Sequence, residues 1–267
     1  MPEPVLLDRN GTIAYITLNR PERGNAIDVP LACALLEATT AVETDDGVRC
    51  VVLRANGPMF CVGGDVKGLY AAGDALATLL DDILAYLHPA IGRLASMNKP
   101  VISAIQGPSA GAGLGLAVVG DIALAEPTAH FTTAYSKIGL SPDGGTTWLL
   151  PKLVGLRRAQ ELSLTSCRVS ADEAAAIGLI TRVVPQGALA YEVDALAEEL
   201  ANSAVGALGR TKRLLLASAE AAFDEQLEAE RENIVRQGST SEGKSGVAAF
   251  IERRKPNFGA SEAKQDR

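Results

Sequence analysis

Two glycine-rich stretches hold the residues best suited to chemistry. One is Phe60–Gly64, FCVGG. The other lies between Pro100 and Asp121, where the β-branched run Val101–Ile105 leads through Gly107 into the small residues Ser109–Gly113 and then apolar Leu114–Val119. The second reads as a buried strand, a tight turn and a buried helix. Small side chains let another group come close to the main chain. The first N–H groups of a helix have no partner inside it and point outward. A ligand oxygen that carries or develops negative charge can take them. The stretch is therefore a packing corner or an anion site, and its residues alone do not choose between the two.

Three other chemistries are weaker. Gly107-Pro108-Ser109-Ala110-Gly111 matches G-x-S-x-G in the strand-to-helix context of a hydrolase nucleophile. The acid and histidine that must follow Ser109 would be Asp121 and His130. Both lie too close in sequence to come from later strands of such a sheet. A dinucleotide fingerprint also fails, because Leu116 stands where Gly111-x-Gly113 needs a third small residue. With only His88 and His130, and with Cys33, Cys50, Cys61 and Cys167 scattered outside any C-x-x-C, a metal centre is not expected. The four thiols read as reduced.

Composition sets the frame. Apolar residues are 47% of 267, enough for a real core, and aromatics are only 4%, so Ala, Val, Leu and Ile must build it. A net charge of −7 argues against a nucleic-acid or anionic membrane surface. MPEPVLLDRNG has no basic, then apolar, leader pattern, and no uncharged run reaches the ~18 residues of a membrane span. The expected location is cytoplasmic.

The elements that must position the loops follow in order. Val5–Asp8 and Thr12–Asn19 read as a hairpin around Asn10-Gly11. Asp28 caps a helix to about Val42, with Pro30 in its first turn. Cys50–Arg54 is a strand. A long helix from Leu76 to Met97 is interrupted or bent at Pro89. Ile122–Ala125 and Ala129–Thr132 read as strands, and Ser141–Gly145 breaks the pattern. Helix follows over Thr146–Leu164 with a break at Gly155. Ser170-Ala171-Asp172-Glu173 reads as a capping box, on a short helix ending at Gly178, before a strand at Leu179–Val184. Beyond Pro185 the chain reads as helices, with a frayed polar end at Ala260–Arg267. Alternation followed by helices suggests an α/β core with a helical C-terminal region.

Taken together, the motifs resemble the enoyl-CoA hydratase/isomerase (crotonase) superfamily. The resemblance rests on RPERGNAID (20–28), FCVGGDVKGL (60–69), NKPVISAIQGPSAGAGLGL (98–116), FTTAYSKIGLSPDGGTTWLLPKLVG (131–155), AxxxGLI (174–180) and GVAAFIERRKPNF (246–258), all in order. SKIGLSPDGGTTWLLPKLVG is most similar to the 1,2-epoxyphenylacetyl-CoA isomerase branch. The resemblance implies an α/β fold, a crotonase-like spiral of ββα units over residues 1–200. It also implies a C-terminal helical trimerisation region over 201–267, and a homotrimer or a homohexamer built as a dimer of trimers. The implied substrate is an acyl-CoA thioester, with no cofactor beyond the coenzyme A it carries.

The resemblance also assigns residues. Two backbone N–H groups, matched loop to loop to Val62 and Ala112, would hold the thioester enolate. Hydratases of the family carry two glutamates, and here those positions read Gly115 and Tyr135. The acid left nearby is Asp143, which matches the aspartate of family isomerases; a helix cap is its plainer reading. Arg23, Ala26, Gly63, Asp65, Val66, Lys67, Gly111 and Tyr135 fall in segments that line the ligand in relatives. Arg253, Lys255 and Phe258 match an end segment that reaches a neighbouring subunit's ligand. Tyr135 is expected as a pocket wall, His88 as a helix-surface or core histidine, Asp65 as a cap or salt link, and Cys61 as packing.

Overall fold

The computed structural model describes residues 2–258. The expected frayed end at Ala260–Arg267 lies outside them. β1 (Val5–Asn10) and β2 (Ile13–Leu18) form an antiparallel hairpin. Its register pairs Asn10 with Ile13, so Gly11-Thr12 are the two loop residues, not Asn10-Gly11. Gly11, at φ +58°, takes the position that requires a left-handed backbone.

Asp28 Oδ1 accepts the Leu31 N–H at 3.0 Å and opens α1 (Val29–Thr44). β3 (Cys50–Ala55) pairs parallel with β2. Short α2 (Val66–Ala71) leads to α3 (Leu76–Ser96), which runs through Pro89 as one helix. β4 (Val101–Ile105) adds parallel to β3. After it come β5 (Ser109–Ala110), α4 (Ala112–Val118), β6 (Ile122–Ala125) and β7 (His130–Thr132). α5 (Thr146–Thr165) is broken at Gly155, whose φ and ψ of 75° and 156° are not helical. β8 (Val169–Ser170), α6 (Ala171–Ala176), β9 (Arg182–Val183) and α7 (Leu189–Ala201) complete the core. Only Arg182–Val183 of the strand expected at Leu179–Val184 makes ladder contacts.

The larger sheet runs β1-β2-β3-β4-β6-β9, and the smaller runs β5-β7-β8. Along the large sheet the side chains alternate faces. Ile13, Tyr15, Val52, Ile102 and Leu124 pack under α7. Ile16, Leu18, Val51, Leu53 and Ile105 pack under α1, α3 and α4. Both faces are covered, as a parallel sheet requires. Single bridges Ile27↔Gly64 and Cys61↔Ser109 tie the loop after β3 to the turn before α1 and to the smaller sheet.

Three helices follow: α8 (Val205–Ser218), α9 (Phe223–Ser239) and α10 (Ser241–Ile251). α8 is anchored by Lys212, whose ammonium donates to Asp121 Oδ2 and to the Leu94 carbonyl, each at 2.9 Å. Burial pushes the Asp121 carboxyl up and the Lys212 ammonium down, and each opposite charge pulls back. Among the described residues no helix is long and apolar enough to cross a membrane.

Candidate active site

The loop after β3 is built on side-chain amides. Asn25, fully buried and at φ 56°, donates to the carbonyls of Asn56, Met59 and Phe60 at 2.9–3.1 Å. Its Oδ1 accepts the Arg20 N–H at 2.7 Å. Gln106 donates to the carbonyls of Ala55, Gly57 and Met59. Sequence reasoning missed both braces. The signal for Asn25 was its place directly after Gly24 in the turn before α1, where Asn accepts a left-handed backbone.

Main chain meets main chain across the site. A Cβ on Gly63 would lie 2.7 Å from the Ala110 carbonyl, and one on Gly113 would lie 2.2 Å from the Cys61 carbonyl. The glycines are there because nothing larger fits.

The expected donor at Val62 is corrected. Its N–H already donates to the Gly24 carbonyl at 3.0 Å. Two residues on, Gly64 N–H has no acceptor among the described residues. Ile27 N–H donates to Gly63 O at 2.8 Å, and Asp65 N–H to Ile27 O at 2.9 Å. The Gly64 N–H between them therefore faces away from Ile27, since neighbouring amides of an extended segment point to opposite sides. Ala112 holds its expected place as the first residue of α4, after Gly111 at φ 54°, and its N–H is likewise free among the described residues. The two free amides thus lie on two loops in main-chain contact.

Asp143 enters from the turn before α5. Tyr135, on a 3-10 turn after β7, donates its hydroxyl to Asp143 Oδ1 at 2.6 Å. Burial and the adjacent carboxylate raise the phenol well above its usual range, so it stays protonated. The phenol ring lies against Gly111, where a Cβ would sit 3.9 Å from the ring. Gly144 lies beside Ala112 and donates its N–H to His88 Nε2 at 3.3 Å. His88, on α3, thus sits at the rim of this turn rather than on an unrelated surface. Asp143 does not cap α5 with its carboxylate; its main-chain carbonyl accepts the Thr146 N–H at 3.0 Å instead.

The space beside Gly115 is closed. A Cβ there would lie 2.6 Å from the Gly144 carbonyl and 3.3 Å from Thr146 Oγ1. Thr146 Oγ1 is itself buried without a hydrogen-bond partner.

The remaining predicted residues divide. Gly63, Gly111, Tyr135, Ala112 and Asp143 converge, and buried Ala26 lies on the turn that braces the loop. Arg23 donates to Asp65 at 3.0 Å and lies 3.8 Å from Asp28, a salt link across the loop mouth. Asp65 heads α2 but its side chain makes no cap bond there. Val66 and Lys67 stand exposed on α2. Cys61 is packing: its thiol donates to the Asn25 carbonyl, and burial pushes it up to about 12. Arg253, Lys255 and Phe258 follow α10, with Phe258 against Gly246 of that helix.

Known proteins resemble this chain over nearly its whole length. A family model described as enoyl-CoA hydratase/isomerase matches residues 8–261. The 1,2-epoxyphenylacetyl-CoA isomerase of Escherichia coli (strain K12) is 37% identical over 260 residues, 97% of this chain and 99% of that protein. The trans-2-decenoyl-[acyl-carrier-protein] isomerase of Streptococcus mutans is 30% identical, over 95% of this chain and 97% of that protein. The crystal structure of an enoyl-CoA hydratase from Polaromonas sp. JS666 superposes with a TM-score of 0.90, at 33% identity, covering 95% of this chain and 98% of that one.

Proposed function

This chain belongs to the enoyl-CoA hydratase/isomerase family, and from that premise we propose that it isomerises an acyl-CoA thioester, shifting a double bond or opening an epoxide, with Asp143 as the single acid/base. The observation that carries this reading is the closed space at Gly115. Adding water needs one group to deprotonate water and another to protonate the α-carbon. Of the two positions where hydratases carry glutamates, one has no room for a side chain and the other is a tyrosine.

A 1,3-proton shift needs one carboxylate. Asp143 takes a proton from the α-carbon of a 3-enoyl thioester or, in the reverse direction, from the γ-carbon of a 2-enoyl thioester. The negative charge moves to the thioester oxygen, where the Gly64 and Ala112 N–H groups receive it. Asp143 then returns the proton to the other carbon. Preset amides stabilise that charge without reorganising, and losing one such donor costs about 2.7–4 kcal/mol of transition-state stabilisation. Relatives carry both isomerase and hydratase names, so the test must separate the two reactions. The purified protein is given a 3-enoyl-CoA, followed by absorbance of the conjugated product, and crotonyl-CoA, followed by loss of absorbance on hydration. Isomerisation without hydration supports the reading. Fast hydration overturns it.

Two finer points belong to the same proposal. Arg23, Lys67, Arg253 and Lys255 are candidate contacts for the coenzyme A phosphates; binding that ignores salt would count against them. The assembly is a homotrimer or a dimer of trimers. The exposed Phe223, Ile234, Val247 and Phe250 on the last two helices favour it, since scattered apolar residues are ordinary but a run of them on neighbouring helices marks a contact.

A further inference from the structure

The reading above leaves Tyr135 without a role. Its hydroxyl donates to Asp143 Oδ1 at 2.6 Å, its ring is 7% exposed, and it stands eight residues before its partner on a separate turn. We infer that Tyr135 is a positioning residue: its phenol clamps one carboxylate oxygen of Asp143 and leaves the other, Oδ2, as the oxygen that carries the proton in both directions.

The physical case has three parts. A hydrogen bond of 2.6 Å from a hydroxyl to a carboxylate is in the short, charge-assisted range. It holds the oxygen that accepts it and leaves the second oxygen to take the substrate proton. The phenol cannot compete for that proton, because burial and the neighbouring charge hold it neutral. The ring is fixed against Gly111 and the carboxylate sits on the turn that touches Ala112, so the clamp sets the carboxylate relative to the oxyanion donor. One other titratable side chain is bonded to this turn, His88 on α3, and it touches the Gly144 amide rather than the carboxylate. The buried Thr146 hydroxyl lies beside the same turn and within reach of the Tyr135 phenol.

This inference rests on Asp143 being the acid/base, and the test separates the two. In Tyr135→Phe the ring stays and the donor goes. The Asp143 carboxyl is followed by NMR with carboxyl-labelled aspartate, its signal assigned by its loss in Asp143→Asn. The expected result is an upward shift of its titration midpoint by about one pH unit, a tenfold change in proton affinity. The acid limb of the kcat/KM profile for a 3-enoyl-CoA moves with it, and kcat falls while KM stays. A difluorotyrosine at position 135 keeps the shape, donates more strongly, and shifts the midpoint the other way; it also serves if Tyr135→Phe does not fold. Midpoints that coincide in all three proteins overturn the inference, whatever the turnover. A shifted midpoint in an enzyme whose Asp143→Asn variant turns over normally keeps the clamp and removes the acid/base role.

Discussion

The two ends of this molecule hold themselves in place by different balances of main-chain and side-chain contact. Around the candidate site the structure is fixed by main chain against main chain. Gly113 sits under the Cys61 carbonyl, Gly63 under the Ala110 carbonyl, and Gly115 under the Gly144 carbonyl, with Asn25 and Gln106 bracing the loops. In the C-terminal helices side chains carry more of the contact: Arg210 bonds Gln237 and Asn233, and Glu242 takes the amides of Gly206 and Ala207, although Gly209 and Gly243 also meet main-chain carbonyls. α9 buries none of its residues, and Phe223, Ile234, Phe250 and Ile251 are each more than 70% exposed. The loops of the site are fixed by contacts within the protomer. The last helices rest on the core through the Lys212–Asp121 ion pair and leave large apolar side chains exposed.

Glycine substitutions break the comparison most sharply. Gly113→Ala places a methyl 2.2 Å from a carbonyl oxygen that cannot move without pulling β5. We expect a loss above about 4 kcal/mol, or no folded protein, in chemical denaturation. Gly238→Ala, on α9 where a Cβ meets nothing within 4 Å, should instead stabilise by about 0.5–1 kcal/mol. Equal effects would mean the two regions are packed alike.

The next effect falls on the anchor between them. Lys212→Met takes the ammonium from a half-exposed Asp121, which keeps its bond from the Val101 N–H, and leaves the Leu94 carbonyl without that donor, at a cost of about 1–3 kcal/mol. Adding Asp121→Asn should recover part of that. The sign of the separate shifts agrees. Asp121 is held above its unfolded value and Lys212 below its own even with the partner's charge counted, so near neutral pH the pairing offsets only part of what burial costs the two ions.

A third change sharpens the contrast at the surface. Phe250→Asp should leave the circular dichroism of the protein intact and lower its mass in sedimentation from trimer or hexamer to monomer. A variant that sediments like the parent would place the assembly contact elsewhere. The smallest effect is chemical. Burial holds the Cys50 and Cys61 thiols at about 12, so at pH 8 only about one in ten thousand is thiolate. A thiol reagent on the native protein should leave both unmodified.

The parts of the fold that were legible are those set by neighbours in sequence. The Asp28 cap and the break at Gly155 follow from single residues. Pro89 was legible but its effect was not: it removes one helix hydrogen bond, and the buried row Leu87, Ala90, Ile91 and Leu94 carries the helix through. The capping box at Ser170 is half formed. Ser170 Oγ accepts the Glu173 N–H, but the Glu173 carboxylate turns to Arg158, a partner no local pattern predicts. In the site, Ala112 and Asp143 could be placed from motifs. Val62 could not be told from Gly64, because which amide is free depends on pairing with the distant segment Gly24–Ile27. The Tyr135–Asp143 bond has no helical or strand spacing, so only the folded chain brings it together.

The measurement that tests the central claim most directly is product analysis in deuterated water, with parent and Asp143→Asn. A 3-enoyl-CoA should be converted by the parent to the conjugated 2-enoyl isomer with no water added, and crotonyl-CoA should be returned unhydrated. Asp143→Asn should fold, bind the thioester and lose the conversion by at least about a hundredfold. A 3-hydroxyacyl-CoA product from the parent, or conjugation that persists in Asp143→Asn, would contradict the account.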